Sequence, residues 1–295
     1  MITPPPNIPT LDLNVIRDEF SNLLKSTVNK LDREWPKTLQ NETLANVFFE
    51  SLLRITENTY RSILTLAAEK SENPFHRREF GLSVPPLARS LLDILFSIVF
   101  VLQDIPAHAR WYHRAGWREV RERHDMLAAH YGQSPEWTSW LAQSEGFLAS
   151  TQSYAGISDA EAANLKLIEK WPLPGQMKNH SALSPERKQF LSYLYDWYYK
   201  EMSQDSHLSW AGMMRRSAPL LLLTFGDKAT RKWQLDKQVS DSFATTMVLC
   251  LAIMSEIEIE FRFGLNARLK HMWSLINPVW GMGKELYDIR HAQLL

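Results

Sequence analysis

The sequence predicts an all-α protein, a single bundle of about seven to nine helices. Apolar residues recur at every third or fourth position through most of the chain, which is the spacing of one helix face. Glycine is scarce, with 11 residues in 295, and proline, serine and glycine cluster between the periodic segments, where they end helices. A chain of this length can bury one large core.

The first half of the chain predicts four long helices. A proline-rich lead at residues 1–12 precedes the first helix, which begins near Leu13 and ends at the sequence REWP. The sequence SENPF interrupts the pattern after the second helix, and the fourth stops at a glycine. These later three helices are predicted over residues 41–70, 83–104 and 107–131.

The second half begins with a clear start signal, Ser134, Pro135 and Glu136. Serine caps a first turn, while proline and an acid suit its positive end. The sequence SDAE is a capping-box pattern, and SPER starts a further helix after a loop at residues 171–183. The sequence SAPLLLLTFGD predicts a short buried turn of helix, and the last long helix is predicted over residues 236–263.

The sequence EIEIEFRF, residues 256–263, fits either a strand or a helix. It alternates polar and apolar residues as a strand does. It also continues a helical run and allows Glu258 and Arg262 to pair at i,i+4. We interpret it as helix, with Glu256, Glu258 and Glu260 on a solvated face.

The domain organisation follows from these elements. We expect one helical domain over residues 13–278, with no internal repeat. The C-terminal segment, residues 279–295, contains the apolar pairs VW and LY. We therefore expect it to dock on the body of the protein or on a partner.

Composition excludes several classes of function. The formal net charge is zero, with 33 basic and 33 acidic residues, so the whole surface is not a footprint for nucleic acid or anionic lipid. The N-terminus lacks a signal-peptide pattern, and the longest apolar runs, residues 91–102 and 243–254, are shorter than the ~18 residues that cross a bilayer. One cysteine, Cys250, fits a reducing cytosol and a core position. We expect a cytoplasmic protein without membrane, cofactor or metal.

A row of polar side chains extends the helix that SPER starts. Tyr199, Ser203 and His207 are spaced by four residues, in line with an apolar row, so we expect them to be buried. Buried hydroxyl and imidazole groups need hydrogen-bond partners. Arg89 and Asp93 on the third helix could supply them, with Asp93 accepting from Arg89 or from His207. The same groups allow a hydrolase-like interpretation, which the absence of a strained Gly-x-Ser-x-Gly turn disfavours.

These motifs resemble a bacterial family of uncharacterised helical proteins, a domain of unknown function. The motif Arg-Ser-x-x-acid matches Arg89, Ser90 and Asp93. The motif Tyr-x-x-x-Ser-x-x-x-His matches Tyr199, Ser203 and His207. The family usually has glutamate where this chain has the shorter Asp93. The resemblance implies an all-helical fold and no established activity, and some members look like parts of anti-phage defence loci.

A basic stripe follows the fourth predicted helix. Its arginines fall at i, i+4, i+8 and i+11, a spacing that can hold phosphates. Acidic residues interrupt the edge of the stripe, and a solvated face is the alternative interpretation. The stripe consists of Arg110, Arg114, Arg118 and Arg121.

Arg123 and His130 lie seven residues apart on the same predicted helix. Two helical turns place them on one face, about 10 Å apart along the axis. With His124 in the intervening polar position, they resemble the arginine–histidine motif of the HEPN superfamily. Those helical bundles are often toxins or defence ribonucleases with a site at a dimer interface. The resemblance implies a metal-independent ribonuclease, with histidine taking the 2′-hydroxyl proton and arginine holding phosphorane charge.

Two functions from different classes remain at this point. The first is a binding or sensing protein, in phage defence or stress response, that uses the polar cluster Arg89, Asp93, Tyr199, Ser203 and His207 as a structural or ligand-sensing core. The second is a HEPN-like ribonuclease with Arg123 and His130 as catalytic residues. The partner is unknown, and the candidates are RNA, another protein or a second copy.

Overall fold

A computed structural model of the protein describes residues 13–67, 83–206, 228–278 and 280–295. Over these residues the fold is all-α, as the sequence predicted, and no strand occurs. The described chain forms eleven helices rather than the predicted seven to nine. The sequence SAPLLLLTFGD and His207 lie outside the described residues.

Two of the first seven helices, α6 and α7, are short, and the sequence pattern did not distinguish them from loops. They are α1 (Leu13–Arg33), α2 (Thr43–Ala67), α3 (Val84–Val101), α4 (Ile105–Tyr131), α5 (Pro135–Gln152), α6 (Asp159–Ala163) and α7 (Pro174–Met177).

The last four helices include two that continue through a wide π turn. The rod α8 comprises Pro185–Leu194, the π turn Tyr195–Tyr199, and Lys200–Ser206. The long helix α9 is Lys228–Phe261, and α10 is Asn266–Ile276. The rod α11 comprises Gly281–Leu286, the π turn Tyr287–His291, and Ala292–Leu294.

Two of the three predicted helix starts show the expected capping bonds. The third is different, because the Ser134 hydroxyl donates to the Glu136 carboxylate and caps no amide of α5. The Ser158 side chain accepts from the Glu161 amide, and the Glu161 carboxylate accepts from the Ser158 amide, so the predicted capping box forms. Ser184 caps α8 by accepting from the Arg187 amide at 3.3 Å. Each such bond satisfies an amide that the helix itself leaves unpaired.

We call the part of the protein that encloses the larger hydrophobic core the body, and α3 lies at its centre. Eleven of its 18 residues are buried, on all sides of the helix. It packs most extensively against α9, and also against α2 and α8. A helix that is apolar all round is stable in a soluble fold only when neighbours enclose it, as they do here.

Two described helices are long and apolar enough to cross a membrane by length and composition alone. They are Val84–Val101 and Ser240–Phe261, and 61% and 78% of these segments are buried inside the fold. Helices at the centre of a soluble bundle have the same composition, so this is weak evidence for a membrane span.

The sequence EIEIEFRF is helical up to Phe261, where α9 ends. Arg262 then takes a left-handed conformation, φ 54°. The predicted i,i+4 ion pair between the Glu258 and Arg262 side chains does not form in the described structure. The Glu258 carboxylate instead accepts from the amides of Gly264 and Leu265, at 2.9 and 3.0 Å. It thereby fixes the turn into α10.

A second, smaller core lies away from the body. Trp117 on α4 and Leu148 on α5 are its centre, and the Trp117 indole donates to the Leu148 carbonyl at 3.0 Å. We call residues 117–152 the α4–α5 hairpin. Its remaining core contacts come from the segment that follows α5: Ala155, Ile157 and Ile168.

Candidate functional site

The predicted polar cluster brings three of its five residues together. Arg89 forms an ion pair with Asp93 one turn along α3. The Arg89 guanidinium also lies 3.7 Å from the centre of the Tyr199 ring, a cation–π contact between α3 and α8. Asp93 and Tyr199 therefore hold the arginine from two sides.

The cluster is less buried than the sequence predicted. The Arg89 side chain is 12% exposed, but that of Asp93 is 49% exposed. Ser203 is half-buried, and His207 lies outside the described residues, so the Asp93–His207 bond stays a prediction.

The π turn in α8 extends the cation–π contact into a stack. Tyr195 and Tyr199 stack with ring centres 5.0 Å apart, and Lys178 Nζ lies 4.7 Å from the Tyr195 ring centre. Arg89 and Lys178 thus cap the two tyrosines from opposite ends. Arginine and lysine side chains of the protein already contact these rings, so we interpret the stack as a structural contact between α3 and α8.

The arginine stripe on α4 is largely engaged within the fold. Arg114 donates to the Gly156 carbonyl and pairs with Glu161. Arg118 donates to the Ile168 carbonyl and pairs with Glu122. These bonds fasten α4 to the segment that follows α5.

The other two arginines of the stripe differ from each other. Arg121 pairs with Asp125 and Glu145, whereas Arg110 is exposed. Three of the four charges are therefore neutralised by acids, and the stripe offers phosphate little uncompensated charge. Phosphate binding here stays a prediction that the geometry does not favour.

Arg123 and His130 are both exposed near the end of α4. Neither forms an ion pair with any residue that the structure describes. His124, between them in sequence, is buried and bonds to Ser144 and Glu145, each at 3.1 Å. The imidazole in the polar position of the motif thus ties α4 to α5 and does not join the other two.

A buried charge cluster was missed by the sequence analysis, which placed Glu256 on a solvated face. That prediction is wrong, because both Glu256 and Glu258 are buried. Arg290 donates two hydrogen bonds to the Glu256 carboxylate, at 2.6 and 2.8 Å. His291 Nε2 lies 3.0 Å from the same carboxylate and donates to it. Arginine and histidine adjacent in sequence reach one acceptor within the wide π turn of α11.

The cluster keeps its carboxylate ionised. Burial alone would raise the pKa of Glu256, but hydrogen bonds from His291 and Arg290 and the arginine charge outweigh burial and lower that pKa to about 2. Both partners come from the C-terminal segment, so the cluster fastens that segment to α9. His291 Nδ1 has no hydrogen-bond partner among the described residues.

The signal for this cluster was present but ambiguous. Glu256 follows the most apolar run of α9, and a carboxylate there requires a buried cation. The cations lie 34 and 35 residues later in the sequence. The spacing of residues in the sequence could not connect Glu256 with these two cations, because helical periodicity relates residues within one helix and not between two helices.

The outer face of α5 is an apolar feature that nothing in the described fold covers. Only Leu148 is buried among the 18 residues of this helix. Trp140 and Phe147 are 40% and 56% exposed. They lie two helical turns apart and so share one side of the helix.

The helix carries net negative charge, because it has no basic side chain and Glu136 has no cationic partner among the described residues. The helix has two acids, of which Glu136 accepts from Ser134 and Glu145 binds α4. Its exposed positions are otherwise small or uncharged, and a side chain at Gly146 would meet nothing within 4 Å. These positions are Thr138, Ser139, Ala142, Gln143, Gly146, Ala149 and Ser150.

Comparisons with known proteins return no match: no family model, curated protein or solved structure is similar to this chain at a significant level. Among the described residues, no group of three or more histidine, cysteine, aspartate or glutamate side chains could hold a metal ion.

Proposed function

We propose that this protein works by binding another macromolecule, and that the outer face of α5 is its contact surface. One observation carries the proposal: an 18-residue helix that buries a single residue and exposes Trp140 and Phe147. Aromatic side chains of this kind supply most of the energy at protein interfaces. An aromatic surface without a basic side chain favours a protein partner over nucleic acid, because phosphates would find no cation on it.

A protein that acts by binding another macromolecule can be one component of a larger assembly or pathway. We further propose a role in phage defence or stress response, in the cytoplasm, which is what the resemblance of the Arg89–Asp93 and Tyr199–Ser203–His207 motifs to proteins of defence loci implies. The Arg89–Asp93–Tyr199 contact then serves the body that holds the hairpin, and the α5 face serves recognition.

The test is a comparative purification. Tagged wild-type protein and the Trp140→Ala/Phe147→Ala variant are recovered from the cells that make them, and bound macromolecules are identified. A matched control is Trp197→Ala, because Trp197 on α8 is 60% exposed but lies outside the hairpin. We expect a partner that the control retains and the double variant loses. A partner set unchanged by the double variant would contradict the proposal.

The second candidate function is the HEPN-like ribonuclease. One observation favours it: Arg123 and His130 are exposed on one helix, and no described acid neutralises the arginine. Incubation of the protein with total bacterial RNA tests this directly. Cleavage lost in Arg123→Ala/His130→Ala but kept in Arg110→Ala, a neighbouring exposed arginine, would establish a ribonuclease. Absence of cleavage by the wild type would remove the candidate.

A further inference from the structure

We propose that His124 is a pH-sensitive clamp between α4 and α5, which holds the α5 face more firmly when the imidazole is protonated. The clamp regulates the surface assigned above, so its effect on binding rests on the proposed function. Its effect on the hairpin stands independently of any partner. Histidine suits this role because its charge changes between about pH 5 and 8.

The His124 side chain has an oxygen atom beside each ring nitrogen. Nδ1 lies 3.1 Å from the Ser144 hydroxyl, and Nε2 lies 3.1 Å from a carboxylate oxygen of Glu145. In the protonated form, one N–H group donates to each oxygen. In the neutral form, Nε2–H still donates to Glu145, and the serine hydroxyl turns to donate to Nδ1. Both forms therefore keep two bonds to α5.

The charges around His124 are unbalanced while the imidazole is neutral. Arg121 pairs with Asp125 at 2.8 Å and with Glu145 at 3.2 Å. Two carboxylates thus share one guanidinium, which leaves one negative charge uncompensated. An imidazolium supplies the missing positive charge and converts the Glu145 contact into an ion pair, with shorter and stronger hydrogen bonds. This ion pair offsets the cost of placing a charge on a ring that is 9% exposed.

The neighbouring charged residues of α4 do not compensate for this excess. Arg118 and Glu122 pair with each other, and Glu122 also pairs with Lys170. Arg123 lies about 100° round the helix from His124 and forms no ion pair with a residue that the structure describes. The balance of charge at this contact is therefore set by the imidazole.

The clamp matters for α5 because few other contacts hold this helix. Leu148 is its one buried residue. Ser144 and Glu145 lie between Trp140 and Phe147 in the sequence, so bonds from His124 fix the part of α5 that carries both exposed aromatic side chains. We expect local opening of α5 to become rarer as the pH falls and His124 gains its charge.

Hydrogen exchange of the full chain at about pH 5.5 and about pH 7.5 tests the inference. Rates are expressed as protection factors, so that the intrinsic pH dependence of exchange cancels. We expect the protection of α5 amides to be about two- to fivefold higher at the lower pH, the range for a partly exposed ion pair. Amides of α9, in the body, serve as the internal reference.

Three variants assign the effect to this contact. His124→Gln can form both hydrogen bonds but carries no charge, so its α5 protection should not change with pH. Glu145→Gln keeps the histidine and removes the carboxylate, and it should also lose the pH dependence, which tests the same ion pair if His124→Gln fails to hold α5. The matched control is His130→Gln, on the same helix but exposed, and it should respond to pH as wild type does.

Wild-type α5 protection that is equal at both pH values, or a pH dependence that Glu145→Gln retains, would overturn the clamp and leave the proposed function standing. A partner that depends on Trp140 and Phe147 should be retained more strongly at the lower pH by wild type, and equally at both by His124→Gln. A pH-dependent hairpin whose co-purified partners ignore Trp140→Ala/Phe147→Ala would support the clamp and remove the proposed function.

Discussion

The body and the α4–α5 hairpin differ in the side chains that they bury and expose. The body encloses charge, since Glu256 and His291 are completely inaccessible to solvent as side chains. The hairpin exposes apolar surface, since Trp140 and Phe147 lie open while Arg121 and Glu145 pair at the surface. Ordinary soluble domains avoid both arrangements unless a partner group compensates for them. In the body the compensating partner is within the chain, and on the hairpin we infer that it comes from outside.

This difference predicts that the body determines the stability of the fold and that the α5 face determines binding to a partner. Substitutions in the body should change the free energy of unfolding, and substitutions on the α5 face should change association alone.

The largest effect is expected for Glu256→Gln. The change leaves Arg290 charged and buried without its counter-ion, and breaking such a pair costs about 3–5 kcal/mol. We expect a markedly lower midpoint in thermal or urea unfolding. Glu260→Gln is the control on the same helix, because Glu260 makes only a 3.4 Å contact with Arg187 and is 35% exposed. An equal loss of stability in both variants would contradict the assignment.

The pH dependence of this cluster has a defined sign. The folded-state pKa of Glu256 is about 2, below its ordinary value of 4.5, so its stabilising contribution is complete above 4.5 and is lost as pH falls toward 2. The stability difference between wild type and Glu256→Gln should therefore shrink over that interval. Unfolding curves at pH 7, 4 and 2.5 measure it. A difference that stays constant down to pH 2.5 would show that the carboxylate is not held ionised.

A local effect is expected for Leu148→Ala in the second core. The side chain packs against Trp117, and large-to-small changes at buried leucine cost about 2–5 kcal/mol. Because α5 buries no other residue, we expect hydrogen exchange to accelerate in α5 while amides of α3 and α9 keep their protection. Uniform acceleration across all helices would mean that hairpin and body unfold as one unit.

A smaller effect is expected for Arg89→Met. The substitution removes the contact with the Tyr199 ring, worth about 1–2 kcal/mol, while the ion pair with the half-buried Asp93 contributes less. Asp93→Asn should therefore destabilise the protein less than Arg89→Met. The opposite order in urea unfolding would assign the energy to the ion pair instead.

Sequence predicted the fold better than the sites. Helical periodicity depends on neighbours within one helix, and it located α1 to α5 and the start of α8 closely. The Glu256 cluster depends on contacts between α9 and α11, which are far apart in sequence. The exposure of α5 depends on which other helices pack against it, and the sequence of α5 does not contain that information. Arg114 shows the same limit, because its position on a basic stripe did not reveal that Glu161 and the Gly156 carbonyl would bind it.

The smallest effect on stability is expected for Trp140→Ala/Phe147→Ala. Both side chains are exposed, and surface substitutions away from buried features change stability by about 0.5 kcal/mol or less. The double variant should therefore unfold at nearly the wild-type midpoint. A variant that unfolds several degrees lower would show that these aromatic side chains support the hairpin itself, and the separation between a stabilising body and a recognising hairpin would fail.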